Sequence, residues 1–295
     1  MTASPRRFTA VVNPAAGGAA ASARLLPLTR LLRDAGAAVA VEYSRGLEHA
    51  AELARTAARA GDVVLGVGGD GMVGRVGGAL VGTDAVFGIV AAGRGNDFAR
   101  QLGLPGEPAA LADLLLHGDA RPVDAISANG EPVLGSVYAG VDAVANRNAN
   151  RSRLRGSASY YVGALRAVLG WRAADYRVTV DGEEYRERGY TVIAANSGYY
   201  GYGRHVAPGA RVDDGLLDVV LVADGPKTMF FNVMRELEDG RHLRRPQVRV
   251  LQGREVRIEL ADPARELPYG ADGELPGVLP VTAKVLPGAL NIIGA

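Results

Sequence analysis

The chain has no cysteine. Disulfide staples, zinc–thiolate centres and thiol nucleophiles are excluded together, and the composition suits a reducing compartment. Lysine is scarce as well. Only Lys227 and Lys284 occur, so the positive charge is carried by arginine, a bias that accompanies abundant alanine and glycine. An excess of either charge is also missing. The 33 basic and 32 acidic residues leave a formal charge of +1, which gives no global attraction to nucleic acid, and the basic stretches lack the interleaved aromatics that stack on bases. Nucleic acid is therefore not an expected partner. Apolar stretches such as Ala85 to Ala92 are about half the roughly 18 residues that a membrane span needs, so no transmembrane segment is expected. The basic start runs directly into the strand-like Phe8 to Val12 with no signal-peptide core, which points to a cytoplasmic protein. Any work on lipid would then be done peripherally, at the inner face of the membrane. The four histidines, His49, His117, His205 and His242, show no ligand spacing and receive no metal role.

What is present is enough for two modest cores: 295 residues, 48% of them apolar. From Phe8 to about Arg121, short apolar strands alternate with Ala/Leu-rich helical segments, the pattern of a parallel sheet with crossover helices. Strands are predicted at Phe8 to Val12, Ala38 to Tyr43, Asp62 to Val67 and Val86 to Ala91. Helices are predicted at Ala19 to Ala35, with Leu25, Leu28 and Leu32 on one face, and at Glu48 to Ala60. Beyond Val123 the pattern turns mostly antiparallel. Tyr176 to Val180 and Tyr190 to Ala195 flank an Asp181-Gly182 step suited to a hairpin turn, and Leu216 to Val222, Val248 to Leu251 and Val256 to Leu260 are further strands. Helices near Ala158 to Arg172 and Pro226 to Leu237 interrupt them. The fold expected is α/β followed by β, with the boundary near residue 125.

Three candidate loops follow strands of the α/β half, where open parallel sheets place their ligand crevice. Asn13-Pro14-Ala15-Ala16-Gly17-Gly18 would let backbone amides approach a phosphate at a helix start, although small turn residues after a strand are common. Gly68-Gly69-Asp70-Gly71 is the sharpest signal, because a plain turn seldom needs three glycines and its single carboxylate can face a nucleotide or its metal. Gly93-Arg94-Gly95-Asn96-Asp97 follows the fourth strand. No Gly-x-x-x-x-Gly-Lys-Ser/Thr run exists, and no Gly-x-Gly-x-x-Gly with a downstream acid, so Walker-type and dinucleotide-oxidoreductase sites are excluded. Far downstream, Asp272-Gly273-Glu274 repeats the triplet Asp181-Gly182-Glu183. The earlier copy is accounted for by its turn; the later one is not clearly flanked by alternating strands. A kinase acting on an alcohol needs such a carboxylate to accept the hydroxyl proton. Arg147, Arg151, Arg153 and Arg155 precede an apolar stretch with Tyr161, Leu165, Val168, Leu169 and Trp171. That segment suits either an ordinary core helix after a solvated loop or docking on an anionic bilayer.

Taken in order, these landmarks resemble the diacylglycerol kinase catalytic family, which includes sphingosine and ceramide kinases and is related to NAD kinases. The matching segments are Asn13-Pro14 through Gly17, Gly68 to Gly71, Gly95 to Arg100, Asn196 before Gly198 to Gly201, Asp213-Asp214-Gly215-Leu216-Leu217-Asp218, and Asp272 to Glu274. The resemblance implies a Rossmann-like three-layer nucleotide domain over 1–125, completed by about 286–295, and a β-sandwich-like lipid-substrate domain over 126–285, with the active site in the cleft between them. It implies ATP contacts at Asn13, Pro14, Ala15, Ala16, Gly17, Ser44, Gly69, Asp70, Gly71, Met72, Arg75, Arg94 and Asn96. Glu274 would be the general base, with Asp272 beside it and Asp70 near the nucleotide's Mg2+; a structural Mg2+ would use the Asp214 carboxylate and the carbonyls of Arg211 and Leu216. Met72 and Arg94 stand where the family usually has threonine, and Arg75 where it usually has an acid. The expected activity is phosphorylation of diacylglycerol to phosphatidic acid. The alternatives are another acceptor, such as a sphingoid base, another lipid alcohol or NAD, and a catalytically weak nucleotide-binding membrane sensor. A homodimer is left open.

Overall fold

A computed structural model describes residues 6–13, 18–150 and 157–294. Pro14, Ala15, Ala16 and Gly17 of the first loop lie outside the described residues, as do Arg151, Arg153 and Arg155 and the side chain of Tyr161. The chain divides into two compact units. The first is Met1–Ala125 with Gly201–Gly203 and Leu286–Ala295; the second is Ile126–Tyr200 with Arg204–Val285.

The first unit runs β1 (Arg7–Val12), α1 (Gly18–Asp34), β2 (Ala38–Tyr43), α2 (Leu47–Arg59), β3 (Val63–Gly68), α3 (Asp70–Gly78), β4 (Val86–Ala91), α4 (Asp97–Gln101) and α5 (Pro108–His117), then enters β5 (Ala120–Ala128). The strands lie in the order β2-β1-β3-β4, all parallel. Every residue of β3 is buried, as a parallel strand covered on both faces requires. On one face Leu25, Leu28 and Leu32 of α1 share a core with Leu111 and Leu115 of α5 and with Phe8, Ala10 and Leu65. That is the helix face predicted from the leucine spacing, and each fully buried leucine contributes about 1.5–3 kcal/mol. On the other, α2 buries only alanines, Ala50, Ala51, Ala54 and Ala57, and packs beside α3.

The second unit continues with β6 (Glu131–Val133), β7 (Ser136–Gly140), α6 (Val141–Asn150), α7 (Ser157–Gly170), β8 (Ala174–Val180), β9 (Glu183–Ala195), β10 (Tyr199–Tyr200), β11 (Arg204–His205), β12 (Leu217–Ala223), α8 (Lys227–Glu236), β13 (Val248–Gly253), β14 (Glu255–Leu260), β15 (Pro268–Ala271), β16 (Glu274–Val278) and β17 (Val281–Ile293). Its pairings are antiparallel. The long β9 pairs with β8 along its first half and with β7 and β12 along its second. Alternate residues of these strands face two cores. Val137, Val192, Ala194, Val219 and Leu221 join a β core with Val256, Ile258 and Val281. Tyr138, Ile193 and Val220 join a second core with α6, α7 and α8. The period of two thus makes a β-sandwich-like body with a helical layer on one side. β17 serves both units in turn: Val281 to Lys284 pair antiparallel with β14, and Asn291 and Ile292 pair parallel with β4.

Candidate active site

In the first unit, the predicted loop residues collect at the carboxyl edge of the parallel sheet. Asn13 follows β1, and Ser44 follows β2 with its amide on the Val12 carbonyl at 2.8 Å. Ser44 is buried, and its hydroxyl has no hydrogen-bond partner among the described residues. The ends of β3 and β4 are in close contact: a Cβ built on Gly93 would stand 2.3 Å from the Cα of Gly69. Only glycine permits this approach, which exposes backbone rather than side chains to a ligand. Asn96, at φ 52°, closes the second loop on itself. Its Oδ1 accepts from the Gly93 amide at 2.8 Å, and its Nδ2 donates to the Gly93 carbonyl at 3.0 Å. Gly71 and Met72 lie in the first turn of α3, with the Met72 side chain packed in the core at 3% exposure. The residue that replaces the family's threonine therefore contributes packing. Arg75 forms an ion pair with Glu48 of α2, and Arg94 is exposed.

Two carboxylates organise this edge. Asp70 accepts from the Asp97 amide at 2.6 Å, joining α3 to α4. Asp97 in turn accepts from the amides of Gly203 at 2.5 Å and Tyr202 at 3.1 Å. These bonds hold the short segment 201–203 in the first unit. Burial, then the charge of Asp70, pushes the Asp97 carboxyl up to about 6, although the two amides favour its ionised form.

In the second unit, the later Asp-Gly-Glu proves to be a hairpin turn like the earlier one, joining β15 to β16. The turn left possible by the sequence is the one found, and its two flanking strands are β15 and β16. Asp272 and Gly273 have φ of 46° and 88°, and Asp181 and Gly182 have 48° and 90°, the paired left-handed conformation of a tight hairpin. Both aspartates bind a neighbouring backbone. Asp181 accepts from the Arg254 and Glu255 amides, and Asp272 from those of Leu134, Gly135 and Ser136 at 2.7, 2.8 and 3.1 Å. Asp272 is thus occupied in fixing the turn, and Glu274 at the start of β16 is exposed. Asp214 sits in a turn, accepting from the Leu216 amide at 3.0 Å, while the Arg211 side chain pairs with Asp213. Burial, and the charge of Asp214, raise the Asp218 carboxyl against a hydrogen bond from Gln252. Among the described residues no group of three His, Cys, Asp or Glu side chains is placed to hold a metal.

The second unit also contains a cavity with ≈720 Å3 of empty space, its mouth included, between strands β9 and β12 and the helical layer. Val141, Val168, Val220, Phe230 and Val233 are part of its apolar wall, and Asp142, Thr191, Arg204 and His242 are polar points on it. Thr191 donates to Asp142 at 2.8 Å, and burial pushes the Asp142 carboxyl up to about 6. His242 is fully buried; Nε2 lies 2.9 Å from the Val206 carbonyl and Nδ1 has no partner among the described residues.

Residues 7–128 match the diacylglycerol kinase catalytic domain, and residues 135–294 match the YegS C-terminal NAD kinase beta sandwich-like domain. A diacylglycerol kinase of Mycobacterium tuberculosis is 33% identical over 298 residues, 97% of this chain and 94% of its own. The chain belongs to the diacylglycerol kinase family. It is a lipid kinase. A diacylglycerol kinase of Bacillus subtilis is 23% identical over 281 residues, covering 93% of this chain and 92% of its own. The crystal structure of a diacylglycerol kinase from Bacillus anthracis str. Sterne shares the fold, with a TM-score of 0.72 at 20% identity over 99% and 98% of the two chains.

Of the residues expected to act in this kinase, Asn13, Ser44, Gly69, Asp70, Gly71, Met72, Arg75, Arg94 and Asn96 belong to the first unit. Asp272, Glu274, Arg211, Asp214 and Leu216 belong to the second. Asp142, Thr191 and His242 of the cavity were not anticipated. Asp142 left one signal, a lone carboxylate in the otherwise apolar run Val137 to Ala145. Thr191 and His242 left none, because Thr191 is 49 positions from Asp142 and His242 has no ligand-like spacing.

Proposed function

We propose that the kinase transfers the γ-phosphoryl group of ATP to the free hydroxyl of diacylglycerol, giving phosphatidic acid. The observation that carries the choice of acceptor is the cavity of the second unit, whose largely apolar wall suits acyl chains. On the donor side, the abutting glycines Gly69 and Gly93 and the start of α3 present amides to phosphate. Arg94 adds a guanidinium where the family usually offers a hydroxyl.

In this reading Glu274 accepts the acceptor's hydroxyl proton as the new oxygen–phosphorus bond forms and the bond to the β-phosphate breaks, releasing ADP. Asp272 positions Glu274 through the turn it fixes. Asp70 is the carboxylate for the nucleotide's Mg2+, which when bound would neutralise charge on the phosphates. Asp214, with the Arg211 and Leu216 carbonyls, is a hard-oxygen set suited to a second Mg2+; the repulsion between Asp214 and Asp218 has the sign that a cation relieves. Among the described residues no helix is long and apolar enough to cross a membrane, and the proposed place of work is the inner face of the membrane, reached from the cytoplasm.

The test offers purified protein, ATP and Mg2+ with diacylglycerol micelles, sphingosine micelles and NAD in parallel, with Glu274→Gln as control. Transfer to diacylglycerol that disappears in the variant supports both the acceptor and the base. Transfer to sphingosine or NAD instead would reassign the acceptor, and ATP binding without transfer would favour a sensor.

A further inference from the structure

The turn that carries Glu274 is held from two sides. Asp272 ties it to the amides of Leu134, Gly135 and Ser136. Asn146, in the second turn of α6, ties it to that helix: its Nδ2 donates to the Gly273 carbonyl at 2.5 Å and, at 3.3 Å, to the Tyr138 hydroxyl. The Gly273 carbonyl lies in the same rigid peptide plane as the Glu274 amide, so this one bond sets the direction in which β16 leaves the turn. The Tyr138 ring lies across Gly270 of β15, where a Cβ would stand 2.2 Å from its Cζ. Only glycine leaves room for the ring there.

The hairpin itself does not need the Asn146 bond. Asp181-Gly182-Glu183 has the same sequence and matching φ angles, and its aspartate also accepts from neighbouring amides. Among the described residues, no side chain bonds the Gly182 carbonyl. The added hold therefore belongs to the copy that carries the proposed base, not to turn formation. On α6, Asp142 precedes Asn146 by one turn on the same side, and Asp142 lines the cavity. One helix thus meets the cavity with one residue and the turn of Glu274 with the next along its face.

From this we infer that Asn146 is a positioning residue of the kinase, fixing the start of β16 so that the Glu274 carboxylate keeps one place relative to the helix that lines the acceptor cavity. It acts through Glu274 and touches no reacting atom. Its worth is geometric: a group misplaced by about 1 Å can cost about a hundredfold in rate. The inference rests on the reading of Glu274 as the general base.

The test measures kcat and both KM values for transfer from ATP to dispersed diacylglycerol, or to whichever acceptor the parallel assay has selected. Asn146→Ala and Asn146→Asp are each made in the natural chain and in Glu274→Gln, and circular dichroism checks that every variant is folded in the assay buffer. Aspartate keeps the size of the side chain, but its carboxylate cannot donate to the carbonyl. In the natural background both variants are expected to lower kcat about 10–100-fold with both KM values unchanged. In the Glu274→Gln background they should cost nothing further, because residues that act as a unit are not additive. Loss by the same factor in both backgrounds overturns the inference, since a merely structural role does not depend on the base. So does a raised acceptor KM at the natural kcat, an unchanged rate in both variants, or unfolding of both in the assay buffer. A natural rate in Glu274→Gln would strike the base reading, and the inference with it. A crippled Glu274→Gln beside unaffected Asn146 variants strikes the inference alone.

Discussion

Two neighbouring carboxylates in one turn separate chemistry from architecture. Glu274 is exposed, and its replacement by glutamine should leave the unfolding midpoint in place while lowering the transfer rate by about 10²–10⁴, the usual worth of a general base. Asp272 satisfies three backbone amides. Asp272→Ala should cost a few kcal/mol, since hydrogen bonds to a charged group contribute about 1.5–3 kcal/mol each and the orphaned amides are part-buried. Denaturant unfolding of both variants beside an ATPase-coupled transfer assay tells the roles apart. A fully stable, inactive Asp272→Ala would return that residue to the chemistry. Asp142 makes a prediction about pH. Its folded pKa, pushed up to about 6, lies above its ordinary 3.8, so the fold favours the protonated form. Between those values the unfolded chain holds fewer protons, and stability falls as pH rises through the window, by up to about 3 kcal/mol once both states are ionised. Asp142→Asn should remove that slope and gain most at neutral pH and above, read from urea midpoints across the window. An unchanged slope would mean that the carboxylate is ionised in the folded protein throughout.

At the scale of elements, the glycine contact at the ends of β3 and β4 carries the proposed donor site. Gly93→Ala places a methyl 2.3 Å from backbone rather than from a yielding side chain, so the loops must part. ATP affinity should fall tenfold or more, measured by calorimetric titration. Gly182→Ala is the control: its φ of 90° strains alanine, but the Cβ meets open space, and the cost, about 1–2 kcal/mol, should appear in stability alone. What could be read from sequence follows the same division. β2 and β4 keep their predicted limits because alternation or continuous burial speaks locally. α3 is not among the predicted helices, since Gly71, Gly74, Gly77 and Gly78 are poor helix formers. It forms because Met72, Val73 and Val76 are buried in the first unit, tertiary packing overriding propensity. β15 and β16 escaped because Pro268, Pro276 and Gly277 obscure the period of two. The glycine loops and the Asp-Gly-Glu turn were visible as motifs. The bonds from Asp97 to residues 202 and 203 and from Asp272 to residues 134–136 were not, since they join positions more than a hundred apart.

On the scale of the whole molecule, the chain's last strand is a dependence that composition hides. Leu290, Ile292 and Ile293 are at most 1% exposed, and β17 reaches the first unit only after passing through the second. Burying these three side chains contributes roughly 5–9 kcal/mol at 1.5–3 kcal/mol each. That is comparable with the entire 5–15 kcal/mol by which a domain is stable. The central strand β4 would also lose its parallel neighbour. A chain ending at Val285 should therefore fail to fold its first unit and lose ATP binding, although every predicted nucleotide-contact residue is still encoded. The second unit keeps the part of β17 that pairs with β14, so its amides should retain protection in hydrogen exchange while those of β1 and β3 lose it. Protection lost throughout would mean that the two units fold only together. Protection kept in β1 and β3 would mean that β4 can serve as an edge, and that the terminal strand finishes the first unit without being required by it.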